Sequence, residues 1–129
     1  VKVKRIAAYK RMEGIFKNYA NFVRTGIPHP DGEIIWMHFP FVIEEGAPFS
    51  RKDVQTYLEL RGIQTRPPFA GNILNQPMMK NQKFVASDSY ENANDMMKNG
   101  ILLGCHQGLS DEQFTHIEEV LASFFEQYR

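Results

Sequence analysis

Cysteine is nearly absent from this sequence. Cys105 is the single one, which excludes an internal disulfide and an all-cysteine metal site within the chain. A lone thiol is the pattern of a reducing compartment, so a cytoplasmic location is expected. Surplus charge is also absent. Lys+Arg and Asp+Glu both number 15, and this balance excludes a general nucleic-acid binder while leaving room for a local cationic contact such as Arg66. No apolar run approaches the ~20 residues that would span a membrane. No signal-like segment opens the chain, because Val1-Lys2-Val3-Lys4-Arg5 leads straight into an amphipathic pattern. There is no P-loop, nucleophile elbow or dinucleotide fingerprint. The four histidines, His29, His38, His106 and His116, show no metal-ligand spacing. An initiator Met is missing too, which fits a piece of a larger protein as well as processing of a complete one.

What remains is the material of one globular domain: 129 residues, 43% of them hydrophobic. Ile6, Tyr9, Met12, Phe16, Tyr19 and Val23 fall at three- and four-residue steps, which predicts one helix over 3–24, stopped by Gly26 and Pro28. That helix either packs on the domain or connects it to something else. The apolar, β-branched run 34–43 predicts a strand buried on both faces, with an edge or a bulge at Pro40. His38 inside it reads as a structural histidine. Ser50 to Asp53 is a capping signature that opens a helix ending at Gly62. Residues 63–65 can form a short strand. A helix over about 89–98, capped by Ser87 or Asp88, comes next, with an interior strand over 101–105 behind it. Ser110 to Gln113 is a second capping box, opening a helix striped by Phe114, Ile117, Leu121, Phe124 and Tyr128. The expected architecture is α/β: a sheet of about three strands with helices packed on it.

The stretch from Ile63 to Pro77 breaks every periodicity. It holds three prolines, Arg66, Phe69 and Asn72. A guanidinium just before two prolines sits on stiff backbone, which suits a bidentate contact to phosphate or carboxylate; a surface ion pair or a domain-interface contact is the alternative. Phe69 either closes a pocket or plugs the local core, and Asn72 after Gly71 can be turn chemistry alone. Cys105-His106 resembles a nucleophile–base pair only superficially, since adjacent side chains on an extended segment diverge. Cys105 reads as a small buried residue, and His106 as the start of a loop able to contact a ligand.

The order Trp36…Phe39-Pro40, Ser50-Arg51…Leu58…Gly62-Ile63-Gln64-Thr65-Arg66, then Ile101-Leu102-Leu103-Gly104…Gly108-Leu109-Ser110…Gln113 resembles the C-terminal domain of the DegT/DnrJ/EryC1/StrS family, from about residue 34 to the end. Thr65 to Asn72 followed by Gln76-Pro77 is most similar to its 3-dehydratase branch, of the CDP-4-keto-6-deoxyglucose-3-dehydratase type in lipopolysaccharide biosynthesis. Sugar aminotransferases of the family typically carry a His-Tyr type sequence where this chain has Pro68-Phe69. The resemblance implies the small domain of a fold-type-I aminotransferase, with residues 1–26 as a connecting helix and 34–129 as the α/β core. It implies a pyridoxal or pyridoxamine phosphate cofactor bound mainly by a large domain outside these residues, where an iron-sulfur cluster is also possible. It implies loss of the C3 hydroxyl from a nucleotide-linked 4-keto sugar. No catalytic residue is assigned within the chain. Arg66, Phe69, Asn72 and His106 are the expected substrate contacts, and the chain's own large domain and a second copy in a homodimer are the expected partners. A sugar aminotransferase of the same family is the first alternative. A non-catalytic α/β module that binds a partner through the proline-rich loop is the second.

Overall fold

The computed structural model describes residues 1–87 and 89–129. Four helices are present among them: α1 (Lys2–Phe16), α2 (Arg51–Glu59), α3 (Glu91–Asn99) and α4 (Asp111–Phe125). Four strands, β1 (Val23–Thr25), β2 (His38–Ile43), β3 (Thr65–Arg66) and β4 (Gly100–Gly104), form one antiparallel sheet in the order β1-β2-β4-β3.

Register sorts the side chains, because directly paired residues share a face and successive residues alternate. One face carries Val23 and Ile43, then Thr25, Phe41 and Ile101, then Phe39, Leu103 and Thr65. The core lies on this side. Phe16 of α1 meets Phe39 and Phe41 at ring centroid distances of 4.8 and 4.7 Å. Val54 and Leu58 of α2 and Leu121 and Phe125 of α4 complete it, all fully buried. The other face carries Arg24, Val42 and Gly100, then Pro40, Leu102 and Arg66, then His38 and Gly104. Helix α3 packs on part of it, against β2 and β4.

Both capping boxes form. Ser50 Oγ accepts from Asp53 N while Asp53 accepts from Ser50 N, and Ser110 and Gln113 do the same for α4. Gly62 takes the left-handed conformation (φ 78°) after α2, as a helix stop requires.

The short strand expected at 63–65 is Thr65–Arg66, α2 ends at Glu59, and three further boundaries differ with consequence. The first helix ends at Phe16 with a short 3-10 turn to Tyr19, and Val23–Thr25 is the strand β1, which makes a four-stranded sheet. The apolar stripe ran on through Tyr19 and Val23 because both are buried in the same core, so it did not mark where helix became strand. The second strand begins at His38 and not at Ile34. Its partner β4 ends opposite, at Gly104, and Ile34, Ile35 and Met37 are exposed. Pro40 lies beyond the last β1 pair, Thr25 with Phe41, so the strand is an edge on that side as expected. The third helix has Tyr90 at its N-cap with no side-chain cap, so Ser87 does not serve; Asp88 lies outside the described residues.

Candidate functional site

The half of the outer sheet face that α3 leaves free and the amino-terminal half of α4 line a cavity of ≈ 590 Å³. Arg66, Leu102 and Gly104 come from the sheet, Met37 and His38 from the entry to β2, and His106, Glu112 and His116 from the loop after β4 and from α4. Each arrives for a local reason. Arg66 is the outward residue of a two-residue strand, in register with Leu102. His38 is the first residue of β2, opposite Gly104. Glu112 and His116 are one helical turn apart on α4.

Arg66 is exposed and makes no ion pair among the described residues, so the surface ion-pair alternative finds no support there. His106 is exposed. Its Nδ1 accepts from Gly108 N at 3.1 Å, which places the ring proton on Nε2 and makes that nitrogen a donor. His116 Nε2 donates to the Arg61 carbonyl at 2.8 Å, tying α4 to the end of α2. The cavity thus collects the Arg66 guanidinium and the His106 Nε2–H beside apolar Leu102, with one carboxylate, Glu112, at its lining. That set suits an anionic or hydroxyl-rich ligand.

The expected contacts separate. Arg66 and His106 meet in this cavity; Phe69 and Asn72 do not line it. Phe69 is 100% exposed, so it neither plugs the core nor closes this pocket. Asn72 is 5% exposed and its amide is engaged at both ends: Nδ2 donates to Asn94 Oδ1 at 2.7 Å and Oδ1 accepts from Leu74 N at 3.0 Å. Asn75 Nδ2 donates to the same Asn94 oxygen at 2.7 Å. Ala70 adopts φ 60°, and Gly71 lies so close to Met97 that no Cβ would fit. The loop is therefore docked on α3 with its one aromatic turned outward. His38 and His116 are the cavity residues that sequence reasoning passed over. His38 is exposed on the outer face, not structural inside the sheet; its even-numbered register with Pro40 was the available signal.

Cys105 is fully buried, and burial pushes its thiol up to about 11, so it is neutral at ordinary pH. His106 beside it points away from the core, which leaves no nucleophile–base pair. No described His, Cys, Asp or Glu cluster could hold a metal ion, and no helix of the described residues is long and apolar enough to cross a membrane. The residues of the cavity do not fit a pyridoxal phosphate cradle. Such a cradle needs a carboxylate buried against the ring nitrogen and an amine or imidazole at the aldehyde carbon. No lysine lines the cavity, and its one carboxylate, Glu112, is exposed.

Known proteins share this architecture. The chain is 29% identical over 97 residues to a dTDP-4-dehydro-2,6-dideoxy-D-glucose 3-dehydratase of Saccharopolyspora spinosa, covering 75% of this chain and 21% of the relative. It is 28% identical over 90 residues to the lipopolysaccharide biosynthesis protein RfbH of Salmonella typhimurium, covering 70% and 21%. The solved structure of the Escherichia coli GDP-4-keto-6-deoxy-D-mannose-3-dehydratase with bound hydrated PLP superposes with a TM-score of 0.74 at 26% identity, over 92% of this chain and 31% of that one. The chain thus spans about a fifth to a third of the length of these proteins. The fold is that of one part of a PLP-dependent aminotransferase-type enzyme. A family profile matches residues 1–122, reaching back through α1 to the first residue, and on that match the chain belongs to the DegT/DnrJ/EryC1/StrS aminotransferase family.

Proposed function

We propose that this chain is the substrate-facing small domain of a pyridoxal/pyridoxamine phosphate-dependent nucleotide-sugar 3-dehydratase. The observation that carries the reading is the open cavity that holds Arg66 and His106, in a chain whose curated relatives include sugar 3-dehydratases. When bound, the cofactor supplies the electron sink that lets a 4-keto sugar lose its C3 hydroxyl. The residues of this chain bind and shield. Arg66 pairs with a phosphate oxygen of the nucleotide, His106 Nε2–H donates to a phosphate or sugar hydroxyl, and the apolar surface at Leu102 excludes water from the bound sugar. Phe69, on its docked loop, extends the contact surface beyond the cavity. The rest of the polypeptide supplies the cofactor site, and a second copy in a homodimer completes the assembly.

The test uses the full-length protein with pyridoxamine phosphate and a nucleotide-linked 4-keto-6-deoxy sugar. The expected product has lost the C3 oxygen, read by mass spectrometry. Arg66→Ala is expected to raise KM by about tenfold or more, the loss of one charge-assisted contact. A product carrying a new amine would replace this reading with the aminotransferase. No turnover of any nucleotide sugar would overturn it in favour of an interaction module.

A further inference from the structure

Strand β3 is two residues long and is paired on one side only, with β4. Two ladder pairs do not hold a strand end in a fixed direction, and Pro67-Pro68 follow at once. Something else aims Arg66. Thr65, the residue before it, faces the opposite side of the sheet and is 3% exposed. Its Oγ1 donates to Glu59 Oε1 at 2.6 Å and accepts from Gln55 Nε2 at 3.0 Å, and its backbone N–H donates to the same Glu59 oxygen at 3.4 Å. Gln55 and Glu59 are four residues apart, on one side of α2. Helix α2 is itself pinned by its capping box at one end and by Gly62 at the other.

We propose that Gln55, Glu59 and Thr65 are positioning residues, a clamp that transmits the rigidity of α2 to β3 and fixes Arg66 over the cavity. The inference rests on the proposed reading of Arg66 as a substrate contact. The clamp sits on the buried side of the strand while Arg66 sits on the open side, so it acts on the ligand only through the backbone between them. Glu59 is exposed and can be rehydrated when its partner is lost, so releasing the clamp redirects the strand without stranding a buried charge.

The experiment is a double-mutant cycle in the full-length holoenzyme with its nucleotide 4-keto sugar. Thr65→Val keeps a β-branched residue and removes the hydroxyl. Its expected effect is a rise in KM of about tenfold with kcat within about twofold, because aim and not chemistry is lost. Thr65→Ser, which restores the hydroxyl, is expected to return KM to the wild-type value. In the Arg66→Ala background Thr65→Val is expected to add nothing, since the group it aims is gone. A purely structural role for Thr65 predicts the reverse: a lowered Tm, independent losses that multiply with Arg66→Ala, and no rescue confined to KM. An unchanged KM in Thr65→Val, or full additivity, overturns the clamp while leaving the wild-type turnover, and with it the proposed function, intact. A wild-type holoenzyme that dehydrates no nucleotide sugar removes both.

Discussion

Two residues show how burial sets chemistry here. Cys105 has an ordinary value of 9.0, pushed to about 11 by burial. Below pH 9 the thiol is neutral in both folded and unfolded chains, and its burial is fully favourable. Between 9 and 11 the unfolded chain ionises first, so stability is expected to fall by up to about 1.4 kcal/mol per pH unit. Urea denaturation at pH 8 and pH 10.5 checks this, and Cys105→Ala should flatten the slope. Part of it will persist, because burial also raises Tyr9 and Tyr19. Asn72, buried, makes the second case. The one carboxamide oxygen of exposed Asn94 accepts from both Asn72 and Asn75. Asn94→Ala leaves the buried Asn72 amine without that acceptor, at an expected cost of about 1–3 kcal/mol. Faster proteolysis within residues 69–85 than elsewhere would report the loosened loop. The burial of Cys105 was legible in the sequence and the Asn94 bridge was not, because the bridge depends on what a distant segment places opposite the residue.

Helices and turns were far more legible. Ser50-Asp53 and Ser110-Gln113 announced α2 and α4, because a cap is a contact between residues three apart and needs no tertiary information. Ser110→Ala is expected to cost about 1 kcal/mol, read by chemical denaturation. Acid acts on the other box with a definite sign. Hydrogen bonds from Ser50, its side chain first, hold the Asp53 carboxyl below its ordinary 3.8. The contribution of the cap is present above that value and is lost as pH falls through the lowered one. The loop after β3 was legible as irregular but not in its docking on α3. Gly71 combines φ 55° with a Cα pressed against Met97, so Gly71→Ala is strained twice over. An expected loss of about 2 kcal/mol or more, with Phe69 displaced, can be measured by denaturation and by the change in near-UV circular dichroism.

At the scale of the molecule, α1 packs into the same core as the sheet. Met12 is 0% exposed, and Tyr9 stacks on Trp36 at 5.0 Å while meeting Phe39 at 5.1 Å. Met12→Ala is expected to cost about 2–5 kcal/mol by thermal or urea unfolding, the penalty of a cavity at the centre of a core. The sequence left open whether this helix packs on the domain or connects it, and extended it over β1, since a stripe of buried residues records burial and not backbone geometry. The cavity was half legible. Arg66 stood out through its prolines and His106 through its loop, whereas His38 and His116 became visible only once register and helix phase set them beside Arg66. The sheet also ends in an unusual way at both margins. β1 has three residues, its outward Arg24 paired with Glu44 and Asp95, and β3 has two, followed by imino acids that lack an amide hydrogen. Short edges, the paired Arg24 and the prolines after β3 all oppose extension of the sheet by another polypeptide. Filament growth by strand addition is thereby disfavoured at both borders.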